Sequence, residues 1–253
     1  MIELINSNCL SYLKTQPDSI YDCIITSPPY NIGSKYSTYN DSLTYLDYLN
    51  TMTDIFKELN RTLKQNGHFF LQVGGTAKSP LTPHHILRKA ILSKFILQNE
   101  IIWVKNISIN KESYGHFKPL NSDKYLNHTH EYIYHLTKNL TDVNKLAVGV
   151  PFSDESNIKR FGHKKNLRCR GNCWFIPYDT VQSRDQKFNH PATYPKKLVE
   201  MCIKFSGIPE NSLILDPFIG SGTTAVVAKE LNMNCVGIDI DSNYIEIAKE
   251  RLI

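Results

Sequence analysis

Leu213-Ile214-Leu215-Asp216-Pro217-Phe218-Ile219-Gly220-Ser221-Gly222-Thr223-Thr224 is the stretch on which the reading of this sequence turns. Three consecutive apolar residues predict a buried strand with Asp216 at its carboxyl end, and a helix is expected from Thr223 to Leu231. Gly220 and Gly222 give the freedom for a tight turn and a close approach of backbone to ligand. The next predicted strand, Cys235 to Ile240, carries Asp239, 23 residues after Asp216. At that spacing an acidic side chain can hydrogen-bond a ribose. A phosphate loop would continue Gly-Lys-Ser/Thr, but no lysine follows Gly222; a nicotinamide fingerprint would need a third glycine. A nucleoside cofactor without pyrophosphate remains, and S-adenosyl-L-methionine is such a molecule. The plain alternative is a strand–turn–helix corner that binds nothing.

Working back from this stretch, strands alternate with helices. Ile2 to Ile5 and Asp22 to Thr26 read as short strands, the second stopped by Pro28 and Pro29. Leu46, Leu49, Met52, Ile55, Phe56, Leu59 and Leu63 recur at helical spacing, with Gly67 as the expected stop. His68 to Val73 reads as a buried strand, Pro83 to Leu97 as a helix, and Glu100 to Lys105 and Glu131 to Leu136 as further strands. Helices are expected near Pro195 to Phe205 and from Asn243 to Leu252. Such alternation predicts an α/β fold, a mostly parallel sheet with helices on both faces. After Asp239 the sequence supplies one helix and no further strand, so the remaining strands must come from the amino-terminal half. Ile2 to Ile5 is the natural continuation, which predicts a circularly permuted Rossmann-like sheet.

The 253 residues, 41% hydrophobic and 21% charged, suit one large globular domain. No apolar run reaches the roughly 20 residues of a membrane span, and no signal peptide is visible, so a cytoplasmic protein is expected. The net charge of +5 is unevenly placed. Lys159, Arg160, Lys164, Lys165, Arg168 and Arg170 fall between Ser156 and Tyr178, a segment without Asp or Glu. Such a cluster on a near-neutral body suits a polyanion, against the alternative of a solvated loop. Of six cysteines, Cys9, Cys23, Cys202 and Cys235 sit in apolar surroundings, as buried reduced thiols do. His163, Cys169 and Cys173 lack a clear fourth ligand, and no metal site is expected.

Thr26-Ser27-Pro28-Pro29-Tyr30 ends the second predicted strand. An exocyclic amino nitrogen on a nucleobase is a weak nucleophile because its lone pair is delocalised into the ring. Holding both its N–H bonds lets the nitrogen pyramidalise. Ser27 Oγ offers one acceptor and the carbonyl of Pro28 another. Pro28 and Pro29 fix the backbone and bring no N–H donors of their own. Tyr30 offers a face on which a base can stack. The expected reaction is direct in-line methyl transfer, with the proton leaving afterwards by way of water and most of the acceleration coming from positioning.

Ser27-Pro28-Pro29-Tyr30 and Asp216-Pro217-Phe218-Ile219-Gly220-Ser221-Gly222, in that order, resemble the catalytic motif and cofactor loop of β-class S-adenosylmethionine-dependent DNA amino-methyltransferases. Asn31-Ile32-Gly33, Ile102-Trp103-Val104-Lys105, His130-Glu131-Tyr132 and Asn189-His190-Pro191-Ala192-Thr193-Tyr194-Pro195 resemble the same family. The likeness spans nearly all residues outside 137–188. It implies that Phe218, Gly220, Ser221, Gly222 and Thr223 line the cofactor site, that Asp239 holds the ribose and that Asp216 lies near the methionine end. It also implies that Thr193 and Pro195 cradle the methionine carboxylate. Asn8 stands where the family usually has an acid that contacts the adenine.

By the same resemblance, residues 1–136 form the catalytic part and 189–253 the cofactor-binding part of one domain, around a target-recognition region at 137–188. The six cations there would bind phosphates, with Arg168 or Arg170 alternatively reading guanine. Ser27, where adenine enzymes usually carry Asp, favours cytosine N4 over adenine N6. The expected substrate is double-stranded DNA with the target base flipped out, as in bacterial restriction–modification systems with a separate cognate endonuclease. A homodimer is compatible with this. A protein or RNA methylase, or an inactive DNA-binding relative, are the rival readings.

Overall fold

The computed structural model describes residues 1–33, 38, 41–77, 79–109, 112–114, 121–126, 128–162, 164–177 and 194–253. The strands are β1 (Ile2–Asn6), β2 (Tyr21–Thr26), β3 (Leu63–Val73), β4 (Ile96–Ile109), β5 (Glu112–Tyr114), β6 (His130–Thr137), β7 (Cys173–Pro177), β8 (Leu213–Asp216) and β9 (Asn234–Asp239). The helices are α1 (Cys9–Thr15), α2 (Tyr45–Thr62), α3 (Thr82–Leu92), α4 (Ser156–Arg160), α5 (Lys196–Ser206), α6 (Thr223–Glu230) and α7 (Ser242–Glu250).

The main sheet runs β1-β9-β8-β2-β3-β6-β4, with β7 parallel to β4 at the far edge and β5 on the distal end of β4. β1, β9, β8, β2 and β3 are mutually parallel, and β6 is antiparallel to both its neighbours. The last two strands therefore lie between the first two. β1 pairs with β9 from Ile2↔Cys235 to Asn6↔Asp239, the junction expected of a circularly permuted Rossmann-like sheet. This brings the carboxyl ends of β9, β8, β2 and β3 to one edge, where open α/β sheets bind ligands.

Side-chain alternation builds a core on each face. Cys23 and Ile25 of β2, Ile214 of β8 and Cys235 of β9 pack with α5 and α6 on one face. Ile24, Leu215 and Val236 point the other way, against α1, α2 and α3. Cys9, Cys23, Cys202 and Cys235 are buried free thiols, and burial drives each thiol's pKa up, that of Cys9 to about 12. Among the described residues no helix is long and apolar enough to cross a membrane, and no group of three His, Cys, Asp or Glu could hold a metal. His163 lies outside the described residues.

Several expected boundaries moved. The second helix ends at Thr62, its cap Leu63 already extended, and Gly67 belongs to β3 rather than stopping α2. Residues 64–66 bulge outward, since Tyr21 pairs with Leu63 but Cys23 with His68. A Cβ at Gly67 would sit 2.6 Å from the Leu63 side chain, so the bulge itself needs the glycine. α3 stops at Leu92 because Ser93 bonds back to the Lys89 and Ala90 carbonyls and Lys94 turns the chain at φ 70°. β4 consequently starts at Ile96. Helix α1 is too short for its periodicity to stand out. β7 lies inside the polar stretch read as irregular; only Trp174 and Ile176 alternate inward there.

Candidate active site

The glycine loop is held by β9 on one side and α7 on the other. Gly220, at φ 49°, donates its N–H to Asp239 Oδ2 at 3.0 Å, and Asp239 Oδ1 accepts from Asp241 N at 2.9 Å. Burial raises the Asp239 carboxyl to about 6 against those two amide bonds, which pull the other way. At φ 84°, Gly222 also lets α7 pack close, since a Cβ there would stand 2.7 Å from Ala248 Cβ. Ser221 and Thr223 are buried, and Arg251 Nη1 reaches the Ser221 carbonyl at 2.6 Å, Ser221 Oγ at 3.0 Å and Thr223 Oγ1 at 3.3 Å. These residues shape the loop from behind.

Asp216 is fully buried. Its Oδ1 accepts from Thr26 Oγ1 at 2.6 Å and Phe218 N at 3.1 Å; its Oδ2 accepts from Tyr194 at 2.8 Å and Thr224 Oγ1 at 2.6 Å. Burial pushes its pKa up, opposed by those bonds. Its carboxylate ties the glycine loop to Thr26, the residue before Ser27. Tyr194 lies in the stretch that resembles the family motif, and its part in this cluster has no local sequence signal. Thr193 lies outside the described residues, and Pro195 is the N-cap of α5.

A cleft of about 880 Å³, counting space open to solvent, lies along this edge of the sheet. Asn8, Phe218 and Asp239 line it together with Ser27 and Pro29, so the two distant motifs meet in one cavity. Met52 and Ile55 of α2, with Tyr244 of α7, supply apolar walls. Asn8 Oδ1 also caps α1 through Ser11 N at 3.1 Å, leaving its second lone pair for a ligand. An apolar slot ending in a carboxylate and an amide matches an adenosine: a flat base between apolar walls, with ribose hydroxyls that can donate to Asp239.

Ser27 follows the last β2 residue, and its Oγ lies 3.0 Å from the Tyr30 hydroxyl. Tyr30 is half-buried, and its hydroxyl also reaches Glu131 Oε2 at 3.2 Å. Tyr48 of α2 donates to the Pro29 carbonyl at 2.7 Å. No bond from a described residue to the Pro28 carbonyl accompanies it. Beyond the motif, Asn31 and Ile32 donate to the Asp41 carboxylate, and Asn31 exchanges two side-chain bonds with Leu43. These bonds pin both ends of the segment containing Thr38, which lines the cleft.

Of the six basic residues, Lys159, Arg160, Lys164, Lys165 and Arg168 are exposed, while Arg170 is half-buried with Nε on the Val148 carbonyl at 2.9 Å. Arg160 and Arg168 lie over the stacked rings of Phe161 and Phe152.

Cofactor-shaped cleft, glycine loop and serine-proline motif together define a nucleoside-cofactor enzyme acting at the open edge of an α/β sheet. The chain belongs to the N6_N4_Mtase family, described as DNA methylase, whose model matches residues 21–250. It is 31% identical over 249 residues to the type II methyltransferase M.HpaI of Haemophilus parainfluenzae, covering 98% of this chain and 73% of that protein. It is 26% identical over 258 residues to the DNA adenine methyltransferase YhdJ of Escherichia coli strain K12, covering 98% and 82%. Among solved structures, the PvuII DNA methyltransferase (cytosine-N4-specific) matches with a TM-score of 0.74 at 18% identity, covering 100% of this chain and 86% of that one. The M1.HpyAVI–SAM complex matches at 0.67 and 21% identity, covering 100% and 99%. At such identities these two likenesses speak for the fold.

Proposed function

We propose that this DNA methylase transfers a methyl group from S-adenosyl-L-methionine to the N4 amino group of a flipped-out cytosine in double-stranded DNA, within a restriction–modification system. The observation that carries the reading is that Ser27, directly after β2, lines the same cleft as Asp239. The cofactor supplies an electrophilic methyl group. Asp239 and Asn8 hold its nucleoside portion by hydrogen bonds, and Phe218, Met52 and Ile55 exclude water around it.

Ser27 Oγ accepts one N–H of the target amino group and the Pro28 carbonyl the other. Both acceptors favour a pyramidal nitrogen over the planar, conjugated one, which is transition-state stabilisation by positioning. Tyr48 fixes the Pro29 carbonyl and so the direction in which the preceding one points. The Tyr30 ring, tethered through its hydroxyl, gives the extruded base a fixed stacking surface that offsets part of the unstacking cost. Lys159, Arg160, Lys164, Lys165 and Arg168 supply exposed charge for DNA phosphates.

Ser27 at the first motif position supports cytosine. The adenine N6 reading keeps one specific support, the likeness to an adenine enzyme across 98% of the chain, and a serine hydroxyl can accept from either amino group. Nucleoside mass spectrometry of DNA methylated in vitro separates them: N4-methylcytosine supports the proposal, and N6-methyladenine overturns it. Ser27→Ala is expected to lower turnover at least ten-fold while cofactor affinity stays within a factor of about two.

A further inference from the structure

Behind Ser27 lies a half-buried ionic group with no assigned role. Glu131, in β6, places its carboxylate at the carboxyl end of β3, with a side-chain exposure of only 14%. Lys105 of β4 donates to Oε1 as an ion pair, and Gln72 of β3 and Tyr30 both donate to Oε2. Gly74 keeps the space open: a Cβ there would lie 2.9 Å from Glu131 Cγ and Cδ. Three donors from three elements converge on one carboxylate, and one of them touches Ser27.

Hydrogen-bond directions follow from this arrangement. A carboxylate paired with an ammonium accepts and has no proton to give. The Tyr30 hydroxyl must therefore donate its single proton to Glu131, and its oxygen is left to accept. Ser27, 3.0 Å away, then donates its own proton to Tyr30. Only lone pairs of Ser27 Oγ remain, facing whatever enters from the cleft. Burial and the adjacent Glu131 charge hold the Tyr30 phenol well above its ordinary pKa, which keeps that proton in place.

We propose that Glu131 is a positioning residue that sets the polarity of the Glu131–Tyr30–Ser27 chain, so that Ser27 presents itself to the target amino group only as an acceptor. This rests on the reading of the site as an amino-methyltransferase. In Glu131→Gln the amide oxygen stays with Lys105 and the amide nitrogen faces Tyr30 and Gln72, whose own amide turns its oxygen to accept. Tyr30 then accepts, donates to Ser27, and turns the Ser27 proton toward the incoming N–H. Two donors face each other and the amino group loses its acceptor.

The test is a double-mutant cycle with Glu131→Gln and Tyr30→Phe, read as kcat and KM on duplex DNA, together with a pH titration of ring-labelled tyrosine by NMR. Glu131→Gln is expected to lower kcat roughly ten- to hundred-fold with KM for DNA changed less than about two-fold. In the Tyr30→Phe background, where no hydroxyl links the two, the same substitution is expected to cost less than about two-fold. The Tyr30 resonance, assigned by its loss in Tyr30→Phe, is expected to titrate at lower pH in Glu131→Gln than in the parent. Equal losses in both backgrounds, or an unmoved Tyr30 titration, overturn the proposal. A parent enzyme that methylates no DNA would defeat the functional reading instead, while the NMR titration would still judge the polarity chain.

Discussion

Replacing Asp216 distinguishes an acceptor cluster from a charge requirement. In Asp216→Ala, one of the Tyr194 and Thr224 hydroxyls, their oxygens 2.6 Å apart, can donate to the other. The second of those protons, the Thr26 hydroxyl and the Phe218 N–H lose their acceptor. At about 1–3 kcal/mol for each orphaned donor, the loss is about 3–9 kcal/mol. For a chain of this size that lowers the melting temperature by roughly 10–30 °C. Asp216→Asn should behave differently. With its oxygen kept toward Thr26 and Phe218, its nitrogen faces two hydroxyls that can turn and accept, and the cost is about 1 kcal/mol.

Urea denaturation followed by circular dichroism measures both variants. Because Thr26 immediately precedes Ser27, the alanine variant should also lose turnover in proportion to the displaced strand end, and the asparagine variant should retain most of it. If asparagine destabilises as much as alanine, the negative charge matters rather than the count of acceptors. If alanine leaves stability unchanged, the cluster does not join the two motifs.

Asp239 predicts a pH dependence with opposite signs for binding and folding. Ribose hydroxyls donate to the ionised carboxyl, so cofactor affinity measured by calorimetry should be flat above pH 7 and fall up to ten-fold per unit below about 6, a dependence that Asp239→Asn should abolish. For the unliganded fold, a carboxyl raised above its unfolded value costs stability once ionised, so that cost should fade as the pH drops from 6 toward 4. Gly222→Ala should destabilise by about 2–5 kcal/mol from the left-handed backbone and the contact with Ala248; Ala248→Gly should restore part of the loss in thermal melts. Lys164→Ala with Lys165→Ala should weaken DNA binding on any sequence and make log Kd against log salt shallower by up to about two; an unchanged slope would remove both from the phosphate contacts.

The parts of the account legible in sequence are those with a local signature. Apolar runs and glycine punctuation gave most elements, and the order of the two motifs gave the permuted sheet, seen in β1 lying against β9. Ser27 and Asp239 share a cleft as their strand-end positions implied. What stayed hidden depends on distance through space. Nothing local reveals that Ala248 stands behind Gly222. The Asp216 cluster has no local signature, since Thr26 and Tyr194 reach it across 190 and 22 residues. Glu131 and Tyr48 act on the catalytic motif across 101 and 19 residues, and only the sheet order brings them there. Gly67 misled because a bulge and a helix stop use the same residue for similar reasons.

On the proposed function, Ser27 and Pro28 hold a cytosine amino group for methylation. Duplex DNA incubated with the protein and methyl-labelled S-adenosylmethionine, then digested to nucleosides and resolved by mass spectrometry, tests it directly. Label in N4-methylcytosine, lost in Ser27→Ala, is the predicted result. Label in N6-methyladenine, or in no base at all, would contradict it.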